Sequence, residues 1–280
     1  MNIPNLAISV SAKLNSHWYR HLGFQDRLVT VNEYPKSGGT WFAKLLATVI
    51  ELPFVDRIIG PPSFPCVMRT HWTPRKEFRP AVYIIRDGRD VMTSLFHHRC
   101  KNIHFTPKLK RNFYEEYGED LNVDRIDSQL SRFIDFEHSH NQYGAQCSWS
   151  EYTERALEAV EYGQKSVLLK YEDLLEDPIQ SVSVTIAKLF EVEIPADRIA
   201  LAVEFYDKKW SQQNTLNLQN QRTFVRKGIS GDWKNVFSLE CCERFAKHGN
   251  TGLISMGYEK NPDWVRHLPS EGLRGVKGNG

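Results

Sequence analysis

The chain has 280 residues, of which 41% are hydrophobic and 25% are charged, and its formal net charge at pH 7 is +2. A chain of this length can bury a full core, so one large domain is expected. The small net charge excludes a protein that attracts nucleic acid or anionic membranes through bulk charge. The five cysteines are odd in number and lack CxxC spacing, so we expect reduced thiols and neither a zinc site nor a disulfide framework.

The first residues of the chain are not expected to form a targeting signal. Residues 1–14 lack a basic start followed by an apolar block, and no stretch of the sequence is apolar for long enough to cross a bilayer. We therefore expect a cytoplasmic protein without a transmembrane segment. Residues 269–280 are rich in glycine and are expected to form a disordered tail behind a domain of residues 1–268.

Buried strands alternate with helices along the chain. Runs of β-branched and apolar residues predict strands at 28–33, 66–69, 81–85 and 166–171. Apolar residues at helical spacing predict helices near 40–50, 91–98, 125–136, 149–160 and 181–190. This alternation favours an α/β fold in a single domain, with a central, mostly parallel sheet flanked by helices. Ligands of such sheets bind beyond the carboxyl ends of the strands.

The segment YPKSGGTW, residues 34–41, joins the first predicted strand to the first predicted helix. Glycines, hydroxyls and one lysine at such a turn are suited to bind an anion, because the helix N-terminus offers unpaired backbone N–H groups. The segment is not a Walker A motif, since its lysine precedes the glycines. It therefore predicts a different kind of anion-binding loop.

Two further clusters of basic residues follow. Arg86 ends a predicted buried strand and Ser94 lies on the next helix, so the two side chains could hold a second anionic group. A solvated turn whose aspartate caps the helix is the alternative, and sequence alone favours it slightly. Residues 226–228, Arg-Lys-Gly, suit a loop that folds over a phosphate, although composition alone favours an ordinary basic surface turn.

Together, the three motifs resemble the cytosolic-type sulfotransferase family, which transfers a sulfuryl group from 3′-phosphoadenosine 5′-phosphosulfate (PAPS). The family's 5′-phosphosulfate loop, YPKSGTTW, differs from the segment here only at Gly39. The family's 3′-phosphate segment has Arg, Asp-Val and Ser at the spacing found from Arg86 to Ser94. Residues 226–235 match its RKGxxGDWKN signature, and residues 171–173 match its YED triplet.

The resemblance implies a P-loop-NTPase-like sulfotransferase fold with a site for PAPS and no metal. The residues that it assigns to the nucleotide are Ser37, Gly38, Gly39, Thr40, Trp41, Arg86, Ser94, Tyr171, Arg226, Lys227 and Gly228. Lys36 would neutralise the charge that grows on the bridging oxygen as adenosine 3′,5′-bisphosphate departs. Arg69 would supply a second charge, in the position of a family lysine. Gly39 lacks the hydroxyl of the family threonine but keeps its backbone N–H, so we expect a site whose properties are altered but which still functions.

The resemblance also implies a histidine base, because a neutral imidazole can take the proton of an acceptor hydroxyl near neutral pH. His104 falls within one residue of the family position and is the predicted base. His97 and His98 lie earlier on the predicted helix and are the alternatives.

The acceptor remains open between a small molecule, a lipid and a sugar. Residues 104–149 would line the acceptor side in this family, and they mix basic residues with aromatic ones such as Phe113, Phe133 and Phe136. A match to the family's short dimer segment makes a homodimer compatible with the sequence, and the residues of that match are Lys234, Ser238, Leu239 and Glu243.

Two other function classes compete with a sulfotransferase. A P-loop kinase that uses ATP would share the strand, loop and helix, but the Gx₄GK[ST] pattern is missing. A non-catalytic nucleotide- or glycan-binding relative would keep the fold without the chemistry. The presence of Lys36 together with a histidine near position 104 argues against that second class.

Overall fold

A computed structural model of the chain describes seven stretches, residues 28–56, 64–76, 80–101, 107–140, 147–163, 165–219 and 229–268. The described residues form two compact units. The first unit takes its residues from 1–33, 37–85 and 155–222, and the second takes its residues from 34–36, 86–154 and 223–280.

The first unit is built on a sheet that has five strands within the described residues. These strands are β1 Leu28–Glu33, β2 Phe54–Val55, β3 Cys66–Thr70, β4 Ala81–Ile85 and β5 Ser166–Lys170. Their order across the sheet is β2-β3-β1-β4-β5, and each neighbouring pair is parallel. Because the chain order reverses around β1, the carboxyl end of β1 lies at the switch point where such sheets bind ligands. The predicted α/β fold class is confirmed.

Helices follow most of the strands. In chain order they are α1 Gly39–Val49, α2 Gly88–Lys101, α3 Pro107–Tyr117, α4 Ile126–His140, α5 Trp149–Tyr162, α6 Tyr171–Glu176, α7 Pro178–Phe190, α8 Ala196–Gln219 and α9 Leu239–Ser255. Short 3₁₀ turns lie at Val123–Arg125, Asp232–Asn235 and Trp264–His267. Helices α1, α6, α7 and α8 belong to the first unit, α2, α3, α4 and α9 to the second, and α5 has residues in both. Tyr171, which was predicted to end a strand, begins α6 instead.

Packing of α1 against the sheet forms the core of the first unit. All six residues of β1 are buried, although Thr30, Asn32 and Glu33 are polar. Val31 of β1 and Phe42 and Leu46 of α1 are 0% exposed and belong to one apolar cluster. This packing fixes both ends of the turn that joins β1 to α1.

A separate aromatic core holds the second unit together. Helix α9 packs against α4 and α2. The side chains of Phe133, Phe136, Trp149 and Phe245 are 0% exposed. The indole Nε1–H of Trp149 donates a hydrogen bond to the carbonyl oxygen of Arg86 at 3.1 Å, so this core also fixes the backbone where α2 begins.

Other composition-based predictions have mixed outcomes. All five cysteines are free thiols, and all but Cys100 are buried. Among the described residues, none of the helices has the length and hydrophobicity needed to cross a bilayer. The predicted disordered tail, residues 269–280, lies outside the described residues.

Candidate functional site

Residues 34–38 turn the chain from β1 into α1. Lys36 has a φ of 77° and Gly38 a φ of 91°, both in the left-handed region. For a lysine this conformation costs roughly 1–3 kcal/mol, and residues held in this way are concentrated at functional sites. Within the second unit, Nη1 of Arg86 donates a hydrogen bond to the carbonyl oxygen of Lys36 at 3.3 Å, which helps to hold the lysine in this conformation.

Gly38 packs directly against Tyr171 in the first unit. A Cβ atom at Gly38 would lie 2.5 Å from two carbons of the Tyr171 ring, closer than any real side chain tolerates. Glycine is therefore required here both by the positive φ and by the ring. The structure thus brings together two residues that the sequence assigned to the nucleotide.

Gly39 lies in direct contact with Glu33, the last residue of β1. The backbone N–H of Gly39 donates a hydrogen bond to Oε2 of Glu33 at 2.5 Å. A Cβ atom at Gly39 would lie 2.6 Å from Cδ of Glu33, so the carboxylate occupies the space that a side chain at position 39 would fill. Sequence reasoning missed Glu33. The available signal was an acidic residue at the end of a predicted buried strand.

Two buried polar atoms of the same segment are unsatisfied. Ser37 is 0% exposed, and neither its Oγ nor Nε1 of Trp41 has a hydrogen-bond partner among the described residues. Buried polar groups are almost always paired in folded proteins. These atoms are therefore suited to bind a polar ligand at the start of α1, where Thr40 is half-buried.

Arg69 of β3 is held between two carboxylates. Its Nε and Nη2 donate hydrogen bonds to Asp56 at 2.9 and 2.7 Å, and its Nη1 donates to Glu33 at 3.1 Å. One guanidinium thus faces two carboxylates, and this group of three residues carries more negative than positive charge. The catalytic role predicted for Arg69 stays a prediction, and this geometry favours a role in holding Glu33.

His71 is hydrogen-bonded at both ring nitrogens. Nδ1 lies 3.0 Å from the carbonyl oxygen of Glu33, and Nε2 lies 2.9 Å from Nη1 of Arg69. Because a carbonyl only accepts and a guanidinium only donates, Nδ1 carries the proton and Nε2 accepts. Burial lowers the pKa of His71, which favours this neutral form. The ring therefore helps to position Arg69.

Arg86 and Asp90 organise the second unit near the start of α2. Nη2 of Arg86 donates a hydrogen bond to the carbonyl oxygen of Ile229 at 3.0 Å and lies 3.5 Å from Oδ2 of Asp90. The same carboxylate accepts the backbone N–H of Gly231 at 2.7 Å and that of Trp233 at 2.8 Å. Burial raises the pKa of Asp90, and Arg86 and the two N–H groups oppose that shift. Arg86 is 9% exposed, so the turn is not solvated at this residue, whereas Asp87 does cap the helix by accepting the backbone N–H of Arg89 at 2.9 Å.

Arg89 stabilises the same segment from its other side. Its guanidinium carbon lies 3.9 Å from the ring centroid of Trp233 and 4.7 Å from that of Trp264. Its nitrogens also bond Asp87 at 2.7 Å and Glu259 at 2.5 Å. Sequence reasoning did not single out Arg89, because its partners Trp233, Trp264 and Glu259 are distant in the sequence. The contact with Arg89 therefore holds Trp233 in place, a few residues after the predicted phosphate-binding residues 226–228.

Several predicted site residues cannot be compared with the structure. His104, Arg226, Lys227 and Gly228 lie outside the described residues. Ser94 lies on α2 and is half-buried, as are the alternative bases His97 and His98. Among the described residues, no group of three His, Cys, Asp or Glu side chains could hold a metal ion.

Solved structures of other proteins share this fold. A retinol dehydratase in complex with androsterone and inactive cofactor PAP has a TM-score of 0.60 and 18% sequence identity, with 84% of this chain and 83% of that chain covered. A mouse sulfotransferase complexed with PAP has a TM-score of 0.59 and 14% identity, with 91% and 94% covered. The fold is therefore that of the PAP-containing sulfotransferase structures.

Sequence relatives identify the family. The chain matches the sulfotransferase domain family over residues 61–257. It is 25% identical over 260 residues to Sulfotransferase 1A1 of Canis lupus familiaris, covering 77% of this chain and 79% of that protein. It is 24% identical over 250 residues to 3-beta-hydroxysteroid sulfotransferase of Cavia porcellus, covering 76% and 79%. The chain belongs to the sulfotransferase family, and the predicted enzyme class is confirmed.

Proposed function

We propose that the chain transfers a sulfuryl group from PAPS to a hydroxyl or amine of a small-molecule, lipid or sugar acceptor. One contact in the second unit carries the proposal: the guanidinium of Arg86 donates hydrogen bonds to the carbonyl oxygens of both Lys36 and Ile229. The arginine assigned to the 3′-phosphate thus contacts the turn of the proposed catalytic lysine and the segment that follows residues 226–228. PAP in the two solved structures named above supports the choice of nucleotide.

The residues of the proposed nucleotide site divide by the part of PAPS that each would contact. The 5′-phosphosulfate would bind Ser37, Gly38, Gly39 and Thr40, the adenine would lie near Trp41 and Tyr171, and the 3′-phosphate would bind Arg86, Ser94, Arg226, Lys227 and Gly228. The unsatisfied Oγ of Ser37 and Nε1 of Trp41 fit such a ligand. PAPS would supply the sulfuryl group and leave as adenosine 3′,5′-bisphosphate.

Lys36 would stabilise the leaving group. Sulfuryl transfer, like phosphoryl transfer, needs alignment and charge stabilisation more than covalent chemistry by the protein. An ammonium group near the bridging oxygen would offset the negative charge that develops as the bond to sulfur breaks. The left-handed turn at Lys36, held by Arg86, supports this role, since it constrains the backbone from which the lysine extends.

The base proposed for the acceptor is His104. It would accept the proton of the acceptor hydroxyl, and His97 or His98 on α2 would be the alternatives. His104→Ala tests the assignment, because turnover should fall sharply while nucleotide binding is retained. Unchanged turnover would move the base role to His97 or His98.

Three of the aromatic residues expected on the acceptor side do not indicate the acceptor. Phe113, Phe133 and Phe136 are 0% exposed, and Phe113 packs edge-on against Phe136 with ring centroids 5.2 Å apart. These residues therefore belong to the core. Androsterone in the retinol dehydratase structure named above favours an apolar alcohol as the first acceptor to screen with labelled PAPS.

A homodimer also stays a prediction. Of the residues in the proposed dimer segment, Lys234, Leu239 and Glu243 are exposed in the second unit. Ser238 caps α9 by accepting the N–H of Cys241 at 3.2 Å, so its presence has a local explanation. Sedimentation equilibrium of the full chain would measure the oligomeric state.

Calorimetric titration tests the proposed nucleotide. Adenosine 3′,5′-bisphosphate should bind tightly without magnesium, and ATP should bind weakly, because only the former carries a 3′-phosphate for Arg86. Equal affinity for the two nucleotides would contradict the proposal. A requirement for magnesium in nucleotide binding would favour a kinase instead.

A further inference from the structure

The carboxylate of Glu33 lies against the N-terminus of α1 in the first unit. It accepts the backbone N–H of Gly39, the first residue of that helix, at 2.5 Å, and Glu33 is 3% exposed. A helix N-terminus has only a few unpaired N–H groups, and its partial positive charge attracts one anion readily. The chain therefore already presents an anion of its own at this position.

We propose, building on the nucleotide site proposed above, that Glu33 is an affinity-determining residue whose carboxylate competes with the 5′-phosphosulfate for the N-terminus of α1. It takes up the N–H donor of Gly39, and its charge repels the incoming anion. Both effects lower the affinity for the nucleotide at its 5′ end.

Arg69 does not cancel the charge of Glu33. Its guanidinium donates to Glu33 through Nη1 and to Asp56 through Nε and Nη2. His71, the other neighbour of that guanidinium, is neutral in the tautomer that its hydrogen bonds require. One positive charge is thus shared between two carboxylates, and a net negative charge remains beside the loop.

Glycine at position 39 and glutamate at position 33 depend on each other. A Cβ atom at Gly39 would lie 2.6 Å from Cδ and 2.9 Å from Cγ of Glu33. A threonine at position 39 would therefore have to displace the carboxylate. The departure from the family loop at Gly39 follows from the acidic residue six positions earlier.

A purely structural role for Glu33 predicts a different result from competition. If the carboxylate only capped α1 and paired with Arg69, its removal would weaken both folding and nucleotide binding. Under competition, removal of its charge weakens folding, because Arg69 loses a partner, but it strengthens nucleotide binding. The two effects then have opposite signs.

Glu33→Gln separates these roles, because glutamine keeps an oxygen for the N–H of Gly39 and loses the charge. Calorimetry should show that the Kd for adenosine 3′,5′-bisphosphate falls about tenfold, since a unit charge has been removed near the 5′-phosphate. The Kd for adenosine 3′-monophosphate, which lacks that phosphate, should stay unchanged. The melting temperature should fall. Glu193→Gln, which neutralises an exposed glutamate of the same unit, should change none of these.

A folded Glu33→Gln protein that binds the bisphosphate no better than the wild type would overturn this inference alone. Failure of the wild type to bind the bisphosphate would overturn the proposed function as well. Glu33→Ala with Gly39→Thr gives an independent test, because alanine opens the space that threonine needs. This double variant should bind the bisphosphate more tightly than the wild type. Weaker binding by the double variant would count against competition.

Discussion

Asp90 accepts a hydrogen bond at 2.7 Å from the backbone N–H of Gly231, a residue 141 positions away in the sequence. Its other carboxylate oxygen accepts the N–H of Trp233 at 2.8 Å, and Arg86 lies 3.5 Å away. One buried carboxylate thus orients the arginine proposed for the 3′-phosphate and fixes the segment that follows residues 226–228. We therefore propose that Asp90 is a positioning residue for that phosphate.

Asp90→Asn should therefore weaken the binding of the 3′-phosphate. Asparagine lacks the negative charge that holds Arg86, and it has one acceptor oxygen where aspartate has two. A hydrogen bond to a charged group contributes about 1.5–3 kcal/mol. We expect the Kd for adenosine 3′,5′-bisphosphate to rise at least tenfold and that for adenosine 5′-monophosphate to change little. Calorimetry measures both, and Asp124→Asn removes an exposed carboxylate as the control. Equal weakening of both nucleotides would indicate a general loss of structure.

Lys36→Ala should slow transfer without unfolding the chain. Loss of a group that stabilises transition-state charge lowers kcat by roughly 100- to 1,000-fold. Binding of adenosine 3′,5′-bisphosphate should be affected far less, because the other proposed phosphate ligands remain. Transfer of labelled sulfate measures kcat, and Lys188→Ala, at an exposed lysine of α7, is the control. A normal kcat in Lys36→Ala would show that the assignment is wrong.

The sequence predicts the parts of the fold that depend on local patterns. Strand β4 is apolar throughout because both of its faces are buried, so its composition alone identifies it. Helix α9 is different, since it contains Gly252, a residue of low helix propensity. A Cβ atom there would lie 2.7 Å from the ring of Trp149, so packing requires the glycine. Because glycine is unfavourable in helices, the sequence of this segment does not by itself predict a helix.

The candidate site also has parts that the local sequence predicts and parts that depend on tertiary contacts. Its loop of residues 34–41 could be proposed for anion binding from the sequence, because the glycines, the lysine and the hydroxyls are contiguous. The contact between Glu33 and Gly39 could not, since it depends on how the turn brings a side chain back onto the backbone. The position of Arg89 between Trp233 and Trp264 also requires the tertiary structure.

Glu137→Ala should strongly destabilise the second unit. Glu137 and Arg99 form an ion pair at 2.8 Å, and their side chains are 2% and 1% exposed. Removal of one partner leaves a buried charge, which costs about 3–5 kcal/mol. Urea denaturation measures the loss. Glu115→Ala, which breaks a pair whose two side chains are each 66% exposed, should cost less than about 1 kcal/mol.

A matched double replacement tests the physical reason for this loss. Arg99→Met with Glu137→Leu removes both charges, so it should be less destabilising than Glu137→Ala alone. A double variant that is less stable than the single variant would show that the ion pair itself contributes net stability.

Stability should fall as the pH falls below about 6.5, partly because of His138. Burial lowers the pKa of His138 to about 4, and its ring stacks on His248 with centroids 4.8 Å apart. Asp135 bonds His248 at 2.8 Å on the other side. Between pH 6.5 and 4 the unfolded chain binds a proton at this histidine that the folded chain excludes, so this site contributes a loss of about 3 kcal/mol by pH 4.

His138→Phe tests whether His138 causes this loss of stability at low pH, because phenylalanine keeps the aromatic packing and cannot be protonated. Urea denaturation at several pH values should show a shallower loss of stability between pH 6.5 and 4. His267→Gln, at an exposed histidine, should leave the slope of the wild type unchanged. A slope in His138→Phe equal to that of the wild type would mean that other groups cause the acid sensitivity.

Gly38→Ala should destabilise the first unit for two separable reasons. The φ of 91° is unfavourable for alanine, and its Cβ would lie 2.5 Å from the ring of Tyr171. Gly118→Ala isolates the first reason, because Gly118 has a φ of 70° and no described atom lies within 4 Å of its Cβ position. We expect Gly118→Ala to cost about 1 kcal/mol in the free energy of unfolding and Gly38→Ala to cost clearly more.

In a Tyr171→Ala background the added cost of Gly38→Ala should fall to that of Gly118→Ala, because the ring is gone and only the backbone strain remains. An unchanged cost in that background would show that the close approach of Tyr171 is not the reason for glycine at position 38.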